Sequence, residues 1–387
     1  MEVFGVIGGA ATSLLGYVIP FLFVLTVVVF VHELGHFLVG RWCGVGVTAF
    51  SIGFGPELVG WNDRHGTRWK LSAIPLGGYV KFVGDVNGAS VPDQEALARM
   101  SPAERAVSFP NQSLPKRAAI VAAGPIANFL LAIAVFAGMT YINGRQILTP
   151  RIEAIQPGSA AERAGFQPKD LVVSIDGVAV GSFAEMQRVV SANAREDLAI
   201  VVDRDGQRVT LHATPDLKEQ ETPFGKHRIG LLGLQASRDP ADLKTVHYGL
   251  GESLRQGVAE CWYVIERTFN YIGKLIVGRE SADQLSGPIR IAQVSGQVAS
   301  MGGLGGLVSL VAVLSVSIGL INLFPIPLLD GGHLLFYAIE GSRGRPLSDR
   351  AQEIGFRIGL AIVVMLMLFA TWNDIVHLGA SFSGRGT

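Results

Sequence analysis

The chain has 387 residues, 49% of them hydrophobic and only 17% charged, a balance that excludes an ordinary soluble protein of this length and points to a membrane protein. Its 32 Lys and Arg equal its 32 Asp and Glu, so nothing in the overall charge suggests nucleic acid as a partner. With only two cysteines, Cys43 and Cys261, no disulfide framework is expected.

Leu14 to Val39 forms the first apolar run, and it carries no charge before His32. A bilayer span takes about 20 apolar residues, so this run qualifies. The start lacks a basic segment and a small-residue cleavage signal, and the run reads as a retained helix rather than a signal peptide. Near its end stands His32-Glu33-Leu34-Gly35-His36. Two histidines four apart share one helix face and can hold one Zn²⁺ between them, while Glu33 can take a proton from an attacking water. Ionisable groups at membrane depth are costly unless they pair, bind metal or line a wet cavity, which favours this reading over a merely polar helix end.

Val47 to Gly60 and Trp69 to Phe82 are rich in Val, Ile, Phe and Tyr and broken by Gly53, Gly55, Pro56, Gly77 and Gly78, which predicts short strands and tight turns beside the membrane. An edge strand here could accept an unfolded substrate segment by main-chain pairing. Spacing alone favours a plain structural hairpin. A second span is predicted over Ala118 to Ile142. Between the two spans lie Arg41, Arg64, Arg68, Lys70, Lys81, Arg99, Arg105, Lys116 and Arg117, whereas residues 1 to 13 have no Lys or Arg, so this loop should be cytoplasmic. Both termini and the long insert from 143 to about 306 should then face outward.

That insert opens with alternation over Arg151 to Ile155, a turn at Pro157-Gly158-Ser159, a short helix over Ala160 to Ala164, and a strand over Leu171 to Ile175. Ser182 should cap a helix reaching about Ala194, and Leu198 to Val202 with Arg208 to Ala213 should pair around Asp205-Gly206. Through Ile155-Gln156-Pro157-Gly158-Ser159-Ala160-Ala161, Ala164-Gly165-Phe166, Asp170 and Asp176-Gly177 the unit resembles a PDZ domain of the bacterial type. Such domains hold an extended peptide, here between Leu148 to Ile155 and the Ser182 helix; a purely steric role stands beside that reading. Leu243 to Val277 repeats apolar residues at three- and four-residue steps, predicting one or two amphipathic helices that rest on the membrane surface or simply pack. Gly302 to Gly306 should loosen the chain before a third span, Leu307 to Leu329. A fourth is predicted over Ile358 to Trp372, after a short loop holding Arg343, Arg345 and Arg350.

A catalytic zinc site needs three protein ligands, so the two histidines require a partner. Asp330, in Asp330-Gly331-Gly332-His333 at the end of span three, is the natural candidate. Spans one and three run in the same direction, which brings His36 and Asp330 to one depth near the cytoplasmic face. Pro325 and Pro327 break the helix, and exposed backbone at that depth is tolerated where it lines a cavity. A turn role for Asp330 and a rival ligand in His333, otherwise behind the first ligands, are the alternatives.

His32-Glu33-Leu34-Gly35-His36, Gly124-Pro125-Ile126-Ala127-Asn128, the PDZ-like unit, and Asn322 through Asp330-Gly331-Gly332 together resemble the bacterial site-2 proteases, intramembrane zinc metalloproteases of the RseP type. The likeness extends to Gly53-Phe54-Gly55, Pro75-Leu76-Gly77-Gly78-Tyr79-Val80-Lys81 and Leu285-Ser286-Gly287-Pro288-Ile289. It implies that Zn²⁺ is bound by His32, His36 and Asp330, that Glu33 is the catalytic base, that Asn322 helps hold substrate, and that Gly53, Phe54 and Gly55 belong to a membrane-associated β-element meeting the substrate. One departure is a single PDZ-like unit where well-known enterobacterial members carry two.

The expected architecture is a polytopic α-helical membrane protein with about four transmembrane helices, a membrane-associated β-element and an inserted α+β PDZ domain. Residues 1–142 would hold the first two spans, 143–237 a periplasmic PDZ domain, 238–303 amphipathic helices and 304–387 the last two spans. By resemblance, it would sit in a bacterial inner membrane and cut single-pass membrane proteins after a first extracytoplasmic cut, such as anti-sigma factors or signal-peptide remnants. A peptide ligand at the PDZ groove and the lipid bilayer are its other expected partners. The rival readings are a PDZ-bearing membrane scaffold with an inert metal site and a zinc transporter, which would have no need of Glu33.

Overall fold

The computed structural model describes residues 2–85, 94–222, 225–237, 239, 242–277 and 287–382. In chain order the elements are α1 (Glu2–Trp42), β1 (Val47–Asn62), β2 (Arg68–Phe82), α2 (Gln94–Arg99), α3 (Pro102–Val107), α4 (Leu114–Asn143), β3 (Arg145–Leu148), β4 (Ile152–Ile155), α5 (Ala160–Arg163), β5 (Leu171–Ile175) and β6 (Val178–Ala179). There follow α6 (Phe183–Ala192), β7 (Leu198–Arg204), β8 (Gln207–Ala213), β9 (Asp216–Thr222), β10 (Gly225–Leu231), β11 (Leu234–Ala236), β12 (Leu243–Val246), α7 (Leu250–Ile276), α8 (Pro288–Asn322), α9 (Asp330–Arg343) and α10 (Asp349–Phe382). They form two compact units, one of Met1–Ala137 with Leu254–Thr387, the other of Gly138–Ser253.

The first unit holds the four described helices that are long and apolar enough to cross a membrane: Leu15–Trp42, Leu114–Asn143, Pro288–Asn322 and Arg350–Val376. Spans one, two and four match the apolar runs and extend past them. Span three differs at both ends. Its helix starts at Pro288 and kinks at Gly303, the one residue of the glycine cluster that leaves the helical region (φ 54°, ψ −143°). It stops at Asn322 rather than Leu329, because Pro325 and Pro327 cannot donate helical hydrogen bonds and push their predecessors toward extended backbone. Val24 and Val28 of α1 are fully buried against Val311 and its neighbours on α8, which sets the first and third spans side by side.

α7 is one helix, and it does not lie flat on a surface within this unit. Cys261 is buried with Ala132 of α4 and Ala312 and Val316 of α8. A side chain at Gly257 would run into the backbone of Ile133 and Ala137, and Phe269 lies 6.3 Å from Phe324. α7 therefore runs alongside two spans, because small residues on all three helices permit close approach where bulky ones would hold them apart. At the far end of α8, the carboxylate of Asp374 on α10 accepts the N–H groups of Gly287, Ile289 and Arg290 at 2.9, 3.0 and 3.0 Å. Gly287, the N-cap residue, has no side chain to do so itself. Leu285 and Ser286 of the same motif lie outside the described residues.

The predicted hairpin is more elaborate than two strands. Ala49 to Ile52 pairs on one side with Lys81 to Gly78 and on the other with Arg68 to Leu71, while Glu57 to Asn62 pairs with Ser72 to Arg68. Gly78 to Phe82 is thus an edge segment of this sheet. Phe50 anchors the sheet on α1, with ring centroids 5.8 Å from Phe30, 5.6 Å from Phe37 and 4.3 Å from Trp69. Asp63 ties the hairpin to α1: Arg41 donates to it at 2.6 Å, and the backbone N–H groups of His65 and Thr67 and the Trp69 indole donate too.

The second unit is α+β. β6-β5-β7-β8 form one antiparallel sheet, with β7 and β8 joined at Asp205-Gly206 as the sequence predicts. Ser182 caps α6 by accepting the Glu185 N–H, and Met186 and Val190 on its inner face close a core with Ile152, Val172, Ile175, Leu198, Ile200 and Val202. The unit reaches beyond residue 237, because β12 pairs with β3. The strand edges expected to line a groove along Leu148 to Ile155 are partly taken. β3 pairs with β12, and β4 pairs with β11 on one side while Ile152 exchanges main-chain hydrogen bonds with Lys169 and Asp170 on the other. β11 pairs on one side only, with β4.

Candidate metal centre and active site

His32 and His36 come one turn apart on α1, and Asp330 is the first residue of α9, just beyond the proline-broken loop. The three are the group of metal-ligating side chains that the fold brings together among the described residues. His32 Nε2 lies 3.2 Å from His36 Nε2, and Asp330 Oδ2 lies 3.2 Å and 3.6 Å from the two. Donors about 2.0–2.1 Å from one tetrahedral zinc stand roughly 3.3 Å from each other, so this triangle has the size of one face of a zinc coordination shell. Asp330 Oδ2 is buried with no hydrogen-bond partner, and the nitrogens facing it are lone-pair donors in neutral imidazole. A divalent cation satisfies all three atoms at once.

The histidines are held from behind by α4. His36 Nδ1 donates to the Ile120 carbonyl at 2.8 Å, and His32 Nδ1 lies 3.3 Å from the Asn128 side-chain amide, which frees both Nε2 atoms to face Asp330. α1 and α4 approach this closely only through two glycines. A Cβ on Gly35 would strike the Ala123 carbonyl, and a Cβ on Gly124 would strike the imidazoles of His36 and His32. Gly124 and Asn128 belong to a motif quoted above without a role. The readable signal was an amide at membrane depth, where a polar side chain is expensive unless used.

Glu33 shares a cavity of about 350 Å³ with His32, His36, Asp330, Asn322 and Phe54. Gly78 and Val80 of the edge segment line it too, and the Glu33 carboxylate accepts the Val80 N–H. Phe54 reaches the cavity from a turn whose flanking residues, Gly53 and Gly55, have φ of 87° and 84°, backbone that other residues avoid. Its ring stacks on Tyr79 at 6.0 Å and stands over Gly77. Gly53 and Gly55 shape the turn and do not themselves line the cavity. His333 lines it but is not among the three ligating residues; its ring packs 5.4 Å from Phe356 and 6.5 Å from Tyr337.

A model of peptidase family M50 matches residues 20–366. A candidate zinc metalloprotease of Agrobacterium fabrum is 52% identical over 371 residues, covering 95% of this chain and 98% of its own length. Another from Rhizobium meliloti is 51% identical, over 93% of this chain and 97% of its own. Metalloprotease MmpA of Caulobacter vibrioides is 40% identical, over 92% of this chain and 94% of its own. With a zinc-sized donor triangle beside a glutamate and with apolar helices around it, the chain belongs to peptidase family M50, as a multi-pass zinc metalloprotease of the site-2 type.

Proposed function

We propose that this protein cuts transmembrane segments of single-pass membrane proteins in a bacterial inner membrane, after a first cut on the outer side. The observation that carries the reading is the shared cavity: the HELGH glutamate, the His-His-Asp triangle and the edge of a β-sheet all face one space among apolar helices. His32, His36 and Asp330 hold the zinc, which supplies Lewis-acid polarisation of the scissile carbonyl and lowers the pKa of a water. Glu33 takes a proton from the attacking water as its oxygen bonds to the carbonyl carbon, then passes it to the leaving amine as the C–N bond breaks.

A helical substrate hides its carbonyls in its own hydrogen bonds, so it has to be extended before it can react. The Gly78 to Phe82 edge offers main-chain partners for an extended segment within reach of Glu33. Phe54, held by Gly53 and Gly55, would pack on that segment, and Asn322 would hold its backbone by its amide. The basic loop between spans one and two supports a cytoplasmic position for the site, with both termini and the second unit in the periplasm. In this reading the second unit is a PDZ domain, and a peptide would add along the side of β11 that β4 does not occupy.

The test is Glu33→Gln in detergent with a model transmembrane substrate. The variant is expected to bind zinc as wild type does and to cut nothing. Cleavage at the wild-type rate would remove Glu33 from the chemistry, and cleavage only of soluble unfolded protein would remove the intramembrane substrate.

A further inference from the structure

Asn128 sits in the middle of α4, the one polar residue between Ala118 and Met139, and is fully buried. A polar amide there is costly unless both its ends are satisfied. Only one end is: the amide meets His32 Nδ1 at 3.3 Å, and its other atom has no partner. Half-satisfied buried polar groups are rare in folded proteins, so this one has a reason other than stability. The one hydrogen-bond partner of its side chain among the described residues is a member of the metal triangle.

Which end of the amide faces His32 is decided by chemistry, since rotation about the last side-chain bond exchanges oxygen and nitrogen. His32 turns Nε2 toward His36 and Asp330. An imidazole that gives its Nε2 lone pair to a cation keeps its proton on Nδ1 and so presents a donor there. A donor requires an acceptor opposite. We infer that Asn128 is a positioning residue for zinc: its side-chain oxygen accepts the His32 Nδ1 proton, holding the ring in the tautomer and angle that present Nε2 to the metal. The Ile120 carbonyl does the same for His36, so one helix orients both histidines. Ser315 donates to the backbone carbonyl of Asn128 at 2.8 Å and does not touch the amide, so it serves as a control for the polar surroundings.

The inference rests on the reading of His32 as a zinc ligand, and the experiment separates the two. Zinc affinity is measured by competition with a chromophoric chelator for the wild-type protein and for Asn128→Leu, Asn128→Asp, Ser315→Ala and His32→Ala. Asn128→Leu keeps the shape and loses the acceptor, and zinc binding is expected to weaken about 10- to 100-fold, the usual effect of losing such a partner. The same variant without zinc should melt no lower than the wild type, since it sheds a half-satisfied amide. Asn128→Asp keeps an acceptor and cannot donate in its ionised form, so it should retain zinc far better than Asn128→Leu. Wild-type affinity in Asn128→Leu, equal weakness in the Asp and Leu variants, or the same loss in Ser315→Ala each overturns the assignment. Full zinc in His32→Ala overturns instead the reading of the site. In the zinc-loaded wild-type protein labelled with ¹⁵N-histidine, a His32 Nδ1 that carries no proton overturns the assignment without any variant.

Discussion

Gly124→Ala adds one methyl group at the point where α4 meets the metal triangle. The new Cβ would stand 2.6 Å from His36 Cε1 and 2.9 Å from His32 Cε1, and closer still to His36 Nε2. To restore an ordinary contact of 3.4 Å, His36 Cε1 alone has to retreat by 0.8 Å. An imidazole is the free end of a side chain and can swing that far, so the fold survives at a cost of about 1–3 kcal/mol for overpacking. The zinc site does not tolerate it, because ligand distances hold to about ±0.2 Å. Purified Gly124→Ala should therefore be folded by circular dichroism, carry less than about a tenth of the wild-type zinc under chelator challenge, and cut substrate at background rate. Gly138→Ala is the control on the same helix, since nothing lies within 4 Å of its Cβ position. Stoichiometric zinc and normal cleavage in Gly124→Ala would refute the tight crossing of α1 and α4 on which the site is built.

Phe54→Ala should leave zinc content unchanged and raise KM for a transmembrane substrate several-fold more than it lowers kcat, which steady-state cleavage assays would read. Asp374→Ala strips three N–H groups at the start of α8 of their acceptor and should destabilise the protein by about 1–3 kcal/mol, seen as a lower Tm in detergent. Asp63 gives a pH dependence outside the spans. Burial acts to raise its pKa, but hydrogen bonds from the Thr67 N–H, the Trp69 indole, the His65 N–H and Arg41 outweigh it and hold the pKa at about 2. A carboxylate with a depressed folded pKa adds stability that is fully present above its unfolded value of 3.8 and is lost as pH falls through about 2. Trp69 fluorescence should report loosening of the hairpin in that acidic window, and Asp63→Asn should already be loosened at neutral pH.

The apolar runs, the histidine pair and its glutamate were legible from residue order because each depends on neighbours in the chain: a span on some twenty consecutive residues, a two-ligand face on a spacing of four. The strands and helices of the second unit followed from alternation, caps and turns, which are local too. The groove along β4 could not be judged the same way, since whether an edge is free depends on β11, some eighty residues later. α7 was ambiguous for a similar reason. Its period is the same whether it lies on a surface or against other helices, and only Gly257 and Cys261 meeting Ala132, Ala137 and Ala312 decides the matter.

The metal centre divides along the same line. Two of its ligands and its base were determined by five consecutive residues, and Asp330 was reachable by counting spans and comparing their directions. The part played by α4 belongs to tertiary structure alone. Gly124 and Asn128 stand out as a motif, but that one must be small to admit the imidazoles and the other must be polar to meet His32 follows from where a second helix crosses the first, ninety residues away in the chain.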